Sequence, residues 1–279
     1  MKTSVLLLTH NEAQHVIPCL QSLRGQDKIV VVDSGSTDET LELIRSFERP
    51  VTLVQRSFVS FSDQRNYALN RCFENDDWVL HLDADERMTE PLAQETAALD
   101  PDTPAIAYNI PSLTYFRGKP IPRASGYPVY QTRLSRAGHF RFVEVGHGQK
   151  APPDVGPIPR LTNHYDHHPF DKGLSDWVMR HDRYASREAE EWLRNAAMYH
   201  GRDALTDPIA RRQWLKQLSR RLPFAPALVY FYLMFVKGGV LDGPEGRDFC
   251  RMRMLYENLV SLKVNELRSA AGPAAISNE

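Results

Sequence analysis

Three short polar clusters carry the residue types that could do chemistry: Thr9-His10-Asn11-Glu12, Asp33-Ser34-Gly35-Ser36-Thr37-Asp38 and Asp83-Ala84-Asp85-Glu86. Asp83 and Asp85 stand two residues apart. Hard carboxylate oxygens so spaced, just beyond a strand, can hold Mg2+ or Mn2+, with phosphate oxygens filling further positions. Asp33 ends an apolar run with no basic neighbour, and a carboxylate there can accept hydrogen bonds from a base N–H or from ribose hydroxyls. Each cluster alone has a plain structural alternative. Asn11 and Ser36 could be helix caps, Asp38 could complement a helix dipole, and Asp83 could be a turn residue. All three in order, each at a strand end, point instead to a ligand site, because open parallel sheets bind ligands at the carboxyl ends of their strands. Neither Gly-x-x-x-x-Gly-Lys nor Gly-x-Gly-x-x-Gly occurs, so phosphate charge would fall to a metal and to arginines. Arg65, within Asp63-Gln64-Arg65-Asn66, is the nearest such arginine in the first half; its alternative is a surface helix arginine.

These clusters need strands and helices to hold them. Thr3–Thr9, Lys28–Asp33, Val51–Gln55 and Trp78–Leu82 are apolar runs of strand length. Helical spacing marks Ala13–Leu23, where Pro18 predicts a kink or a late start, and Ser62–Phe73. Ser36 and Glu39 have capping-box spacing and predict a helix over Glu39–Phe47. Strands alternating with helices predict an α/β fold with a mostly parallel sheet. After about residue 104 the alternation stops. Ala105–Phe116 and Val129–Val145 read as longer antiparallel strands, and the proline-rich segment 151–160 as irregular connection. From Asp171 the chain reads helical, over Gly173–Trp192, Ala210–Leu222 and Gly246–Leu267, with a frayed tail after Ser269. The division expected is a first domain over 1–170 and a helical extension over 171–279.

Composition narrows the classes. Of 279 residues, 42% are hydrophobic and 25% charged, which is globular composition. A formal net charge of −1 argues against a general nucleic-acid binder, whose affinity needs a basic face. Three scattered cysteines make neither a disulfide scaffold nor a four-thiolate metal site. The first residues do not read as a secretory signal, so a cytoplasmic protein is expected. Leu222–Val236 is a run of fifteen residues without a charge. At roughly 1.5 Å per residue it reaches about 22 Å, short of the ~30 Å hydrocarbon core. Arg202–Arg221, just before it, carries six basic and two acidic side chains. A basic segment beside an aromatic-rich apolar helix suits an anionic membrane surface; a solvated helix beside a core helix is the alternative.

The segments THNEAQHVIPCLQSL, VVVDSGSTDET, FSDQRNYAL and WVLHLDADE together resemble the family 2 glycosyltransferases of GT-A fold. The likeness extends to the lipopolysaccharide core glucosyltransferase type through Tyr127-Pro128, Arg133-Leu134-Ser135-Arg136, Asn163-His164-Tyr165 and Lys172–Glu190. The resemblance implies an inverting transfer from a nucleotide-diphosphate sugar, UDP-linked by expectation, to a lipid-linked saccharide such as lipopolysaccharide core. It implies a Rossmann-like sheet with antiparallel acceptor-side strands. It places Thr9, Asn11, Glu12, Asp33 and Arg65 around the nucleotide, and makes Asp83 and Asp85 the Asp-x-Asp metal motif for Mg2+ or Mn2+. Arg133 or Arg136 could assist with phosphates or be structural. The enzyme is expected at the inner face of the bacterial inner membrane as a peripheral protein.

The base departs from the family pattern. Related sequences carry a His-Glu pair, whereas here Gly148 follows His147. Two substitutes remain: Glu144, and His147, whose imidazole has an ordinary pKa of about 6.5. Of the later histidines, His164, His167 and His168, one is expected to reach a metal or diphosphate, His164 before the other two. The alternative to an enzyme is a non-catalytic sugar-nucleotide or membrane-docking module of the same fold.

Overall fold

The computed structural model describes residues 1–26, 28–145, 148–195 and 224–270. The chain divides into two compact units: Met1–Pro122 with Tyr127–Asp171, and Arg123–Gly126 with Lys172–Glu279.

The first unit is built on strands β1 (Thr3–Thr9), β2 (Ile29–Asp33), β3 (Thr52–Gln55), β4 (Trp78–Asp83), β5 (Glu86–Met88), β6 (Ala107–Phe116), β7 (Lys119–Pro120), β8 (Val129–Arg136), β9 (Val143–Val145), β10 (Gly148–Lys150) and β11 (Tyr165–His167). The main sheet runs β3-β2-β1-β4-β8-β6-β11-β5, with β7 pairing β6. β3, β2, β1 and β4 are mutually parallel. β8 is antiparallel to both β4 and β6, and β11 is parallel to β6 but antiparallel to β5. The expected α/β class, mostly parallel on one side and antiparallel on the other, is what the chain adopts. β1 and β2 are buried along their whole length, because helices cover both faces and every side chain must be apolar or paired.

Helices α1 (Val16–Ser22), α2 (Thr40–Arg45), α3 (Phe61–Arg71) and α4 (Glu90–Ala98) flank this sheet. One face buries Val5, Leu7, Val31, Leu80 and Leu82 against Val16, Leu20, Ile44 and Leu92. The other buries Leu6, Val30 and Val79 against Ala68, Leu69, Phe140 and Phe142. α1 starts late, so Pro18 falls in its first turn, where the missing N–H has no helical partner to lose. The capping box does not form: α2 starts after Glu39, which takes the cap position without a side-chain bond, and the Ser36 oxygen accepts the Asn11 N–H instead. Ser60 caps α3, accepting from the Asp63 N–H at 3.2 Å. The long strand expected over Val129–Val145 is two: β8 stops at Arg136, and β9 forms a separate hairpin with β10.

The second unit is helical, with α5 (Gly173–Asn195), α6 (Ala225–Phe231) continuing into a π turn at Tyr232–Val236, a 3-10 turn at Gly239–Asp242, and α7 (Gly243–Ala270). α5 and α7 meet through Lys263–Asp182 at 2.7 Å, a hydrogen bond from Tyr256 to Glu188, and His181, stacked on Trp177 and edge-on to Tyr256. The helical character expected of this region is observed, while Ala210–Leu222 and the basic segment Arg202–Arg221 lie outside the described residues.

Candidate active site

The site assembles at the carboxyl ends of β1, β2 and β4. The parallel register sets Thr9 beside Asp33 and Leu8 beside Asp83. After β2 the chain must turn at once into α2, and Gly35, with φ +86°, supplies the left-handed residue the turn requires. Asp33 is fully buried at the root of this turn. One of its oxygens accepts the Gly35 and Ser36 N–H groups at 2.9 and 2.8 Å; the other accepts the Thr9 and Ser36 hydroxyls at 2.8 and 2.5 Å. Four donors fill the acceptor positions of a carboxylate. The direct contact to a base or ribose expected of Asp33 therefore meets an occupied group, which here shapes the loop.

The loop after β1 is stitched to it. Asn11 adopts φ +54°, its N–H donates to the Ser36 hydroxyl at 2.8 Å, and its side-chain oxygen accepts the Thr37 N–H at 2.8 Å. The Glu12 N–H donates to the Thr40 hydroxyl at 2.7 Å, and the Ala13 N–H to Asp38 at 3.2 Å. Asp38 also accepts from Thr40, and these bonds hold its carboxyl below the usual range against the opposing effect of burial. Thr9, Asn11, Glu12 and Asp33 are thus brought together as one rigid platform.

At the end of β4 the partners are charged. Asp83 accepts from Arg65 of α3 at 2.7 Å on one oxygen and from Arg133 of β8 at 2.9 Å on the other. Arg133 also binds Glu86, and its Nε lies 3.4 Å from the Tyr165 hydroxyl. Glu86 in turn accepts the Asp83 N–H at 2.9 Å. Arg65, Arg133, Glu86 and Tyr165 are all buried. Burial would raise the Asp83 pKa, but the Arg65 and Arg133 guanidiniums outweigh it and hold the carboxylate well below its ordinary value. Burial pushes Glu86 up to about 7, with Asp83 adding to the rise and Arg133 opposing it.

Asp85 has a different partner. Its Oδ2 lies 3.6 Å from Nε2 of His167, and its carbonyl accepts the His168 N–H at 2.8 Å. Burial opposes charge on both groups, yet each outweighs it for the other: Asp85 is lowered and His167 raised. A carboxylate oxygen and an imidazole nitrogen so close fit a divalent ion whose remaining positions are filled by phosphate oxygens. Asp83 fits less well, since each of its oxygens already meets a guanidinium. Among the described residues no group of three or more His, Cys, Asp and Glu side chains converges to hold a metal by itself.

His164 does not approach Asp85. Its ring lies 3.5 Å from Asp166 and 3.4 Å from the Tyr127 hydroxyl, and its carbonyl accepts from Thr89. The histidine that reaches Asp85 is His167, three residues on, which the sequence offers beside His164 and His168 with nothing to single it out. Arg136 is structural, donating to the carbonyls of Pro101 and Thr103 and covering Trp78.

A cavity of about 490 Å3 opens beside Arg65, Asp83 and Arg133, walled by Phe142, Gln149 and Lys150. Glu144 is exposed on β9 and lines another groove, of about 520 Å3, with Arg56, Asn66 and Arg71 of the α3 region. It is not brought to Asp83 and Asp85, and His147 lies outside the described residues.

Residues 4–136 match the model of Glycosyl transferase family 2. LpsC of Rhizobium meliloti (strain 1021), a lipopolysaccharide core biosynthesis glycosyltransferase, is 32% identical over 149 residues, 52% of this chain and 52% of LpsC. An uncharacterized glycosyltransferase of Rickettsia prowazekii (strain Madrid E) is 29% identical over 126 residues, 44% of this chain and 42% of the relative. The match thus spans about half the length of these curated relatives. Among solved structures, TarS of S. aureus (residues 1–349) in complex with UDP-GlcNAc is 18% identical, with TM-score 0.48, covering 97% of this chain and 92% of that one.

Proposed function

We propose that the chain, whose residues 4–136 match the model of Glycosyl transferase family 2, transfers a sugar, with inversion, from a nucleotide-diphosphate donor to a saccharide acceptor. The single observation that carries this reading is the convergence of three groups at the carboxyl ends of β1, β2 and β4: the Asn11–Asp33–Ser36 platform, the Arg65–Asp83–Arg133 group and the Asp85–His167 pair. In this reading the platform receives the nucleoside through its exposed loop surfaces, with Asp33 holding the loop in shape. Arg65 and Arg133, oriented by Asp83, face the diphosphate and balance its charge as it leaves. Asp85 and His167 would hold Mg2+ or Mn2+, which when bound supplies further charge neutralisation for the leaving group. The acceptor hydroxyl attacks the anomeric carbon from the opposite side, and its proton passes to a base. We assign the base to His147, since Glu144 stands in another groove. LpsC supports a lipid-linked lipopolysaccharide core saccharide as acceptor class, and a UDP-sugar is the donor to test first.

Calorimetric titration with UDP-sugars and other nucleotide sugars, with and without Mg2+ or Mn2+, tests this reading. Metal-dependent binding of one donor is expected. In a turnover assay Asp85→Asn should lower kcat by about a thousandfold, the scale of lost charge stabilisation at a transition state, while the fold survives. Intact turnover in Asp85→Asn would sink the metal assignment. No binding by any donor would favour a non-catalytic module, a reading that Gly148 after His147 already motivates.

A further inference from the structure

The described part of the uncharged run, Phe224–Val236, carries its apolar groups outward. Phe224, Leu228, Phe231 and Phe235 follow one another at steps of four, three and four residues, which is one stripe of a helix. All four are at least half exposed, and Val236 beside them is 73% exposed. Met234 on the other side is buried and anchors the segment. Leu241, on the following turn, is also exposed. Folded soluble chains seldom leave a contiguous apolar patch of this kind uncovered.

Among the described residues no single helix is long and apolar enough to cross a membrane; the stretches Ala225–Val236 and Gly239–Ala270 reach that length and apolarity only together, and they are bent by 71°. α7 then carries Glu245, Arg247, Asp248, Arg251 and Arg253 within its first three turns, so it does not follow the stripe into hydrocarbon. The charge that ends the stripe is positive: Lys237, its ammonium 5.9 Å from the Tyr232 ring, while Arg123, which packs against Gly238, is ion-paired with Asp242. In sequence, residues 202–221 add a net +4 immediately before it. A second copy laid on this face would set like charges together. An anionic lipid surface would pair with them, and phenylalanine and tyrosine rings suit the headgroup layer.

We propose that the stripe formed by Phe224, Leu228, Phe231, Phe235 and Val236 is the surface by which the chain docks, without crossing, on an anionic lipid bilayer. This deepens the reading of a lipid-linked acceptor, and its test needs no glycosyl transfer. The full chain is sedimented with vesicles of phosphatidylcholine alone and of phosphatidylcholine mixed with phosphatidylglycerol. Binding to the anionic vesicles is expected, weakening with salt. Phe231→Ser with Phe235→Ser should cut the partition coefficient at least about tenfold, since each ring contributes buried apolar area. Its thermal midpoint and nucleotide-sugar binding should be unchanged. Leu262→Ser, at an exposed apolar position of α7, should leave partitioning as it was. Phe231→Trp should be quenched by brominated lipid. An intact chain that ignores anionic vesicles, a double variant that still binds them, or a tryptophan at 231 that bromine does not quench would each overturn the proposal. A double variant that only converts a dimer to a monomer would transfer the stripe to a second copy and overturn it likewise. Loss of nucleotide-sugar binding in the wild-type chain would bear on the enzymatic reading alone.

Discussion

Asp33 and Asp83 end the two strands that flank β1, and both are hydrogen-bonded on each oxygen, but by different kinds of partner. Asp33 accepts two N–H groups and two hydroxyls, all neutral and nearly all from its own loop. Asp83 accepts two guanidiniums brought from α3 and β8, eighteen and fifty residues away in sequence. The first carboxylate is spent on shape: it fixes a turn whose exposed surface remains available. The second is spent on charge: it holds two cations at one point, and its loss would leave buried charge behind. An aspartate at the end of a parallel strand is therefore not one device but two, and its partners decide which.

The sharpest way to break this contrast is Asp83→Ala. Arg133 keeps Glu86, but Arg65, which is buried, loses its ionic partner. Removing one member of a buried pair is costly, and about 3 kcal/mol of stability should be lost in urea unfolding. A loss under about 1 kcal/mol would show that Arg65 finds water or another acceptor, and the charge argument would fail.

Asp33→Asn comes next. The amide keeps one oxygen but turns an NH2 group toward donors that need an acceptor. About 2 kcal/mol is expected, the cost of leaving buried donors unpaired. Because the damage is to loop shape, nucleotide-sugar affinity should fall with stability in this variant and recover in neither high nor low salt. A strong salt dependence would mean that Asp33, like Asp83, acts through charge.

Much of this was legible in the sequence, and unevenly. β1, β2 and β4 show as apolar runs because burial on both faces leaves no room for alternation, and their ends mark the three polar clusters without further information. The helical second unit was legible from apolar spacing over Gly173–Trp192 and Gly246–Leu267. The three-residue strands β5 and β11 were not, since they exist only through pairing with each other and with β6. His167 could not be told from His164 and His168 for the same reason: eighty-two residues separate it from Asp85, and only the sheet brings them together. The misread capping box is instructive. Ser36 has the right spacing from Glu39, but its oxygen accepts the Asn11 N–H in place of one from the helix, while its proton goes to Asp33.

His81 gives the smallest and most specific test of the contrast. It sits on β4 two residues before Asp83, fully buried, with Nε2 2.8 Å from the Ser135 hydroxyl and its ring edge-on to Phe142. Its Nδ1 has no hydrogen-bond partner among the described residues. Burial, then Arg65 and Arg133, press its pKa well below the ordinary imidazole value, while Asp83 opposes them only in part. The folded protein therefore keeps this imidazole neutral, whereas the unfolded chain takes up a proton below about pH 6.5. The stability tied to it is complete above that pH and is lost as pH falls through it, with a slope of at most about 1.4 kcal/mol per pH unit. Comparing urea unfolding of the wild type and His81→Gln between about pH 7 and pH 5 isolates this one group. The variant's curve should be flatter on the acid side. Parallel curves would mean that the folded imidazole keeps its ordinary pKa, so that the Asp83 carboxylate offsets burial and both arginines together and, unlike the Asp33 carboxylate, acts well beyond its own hydrogen bonds.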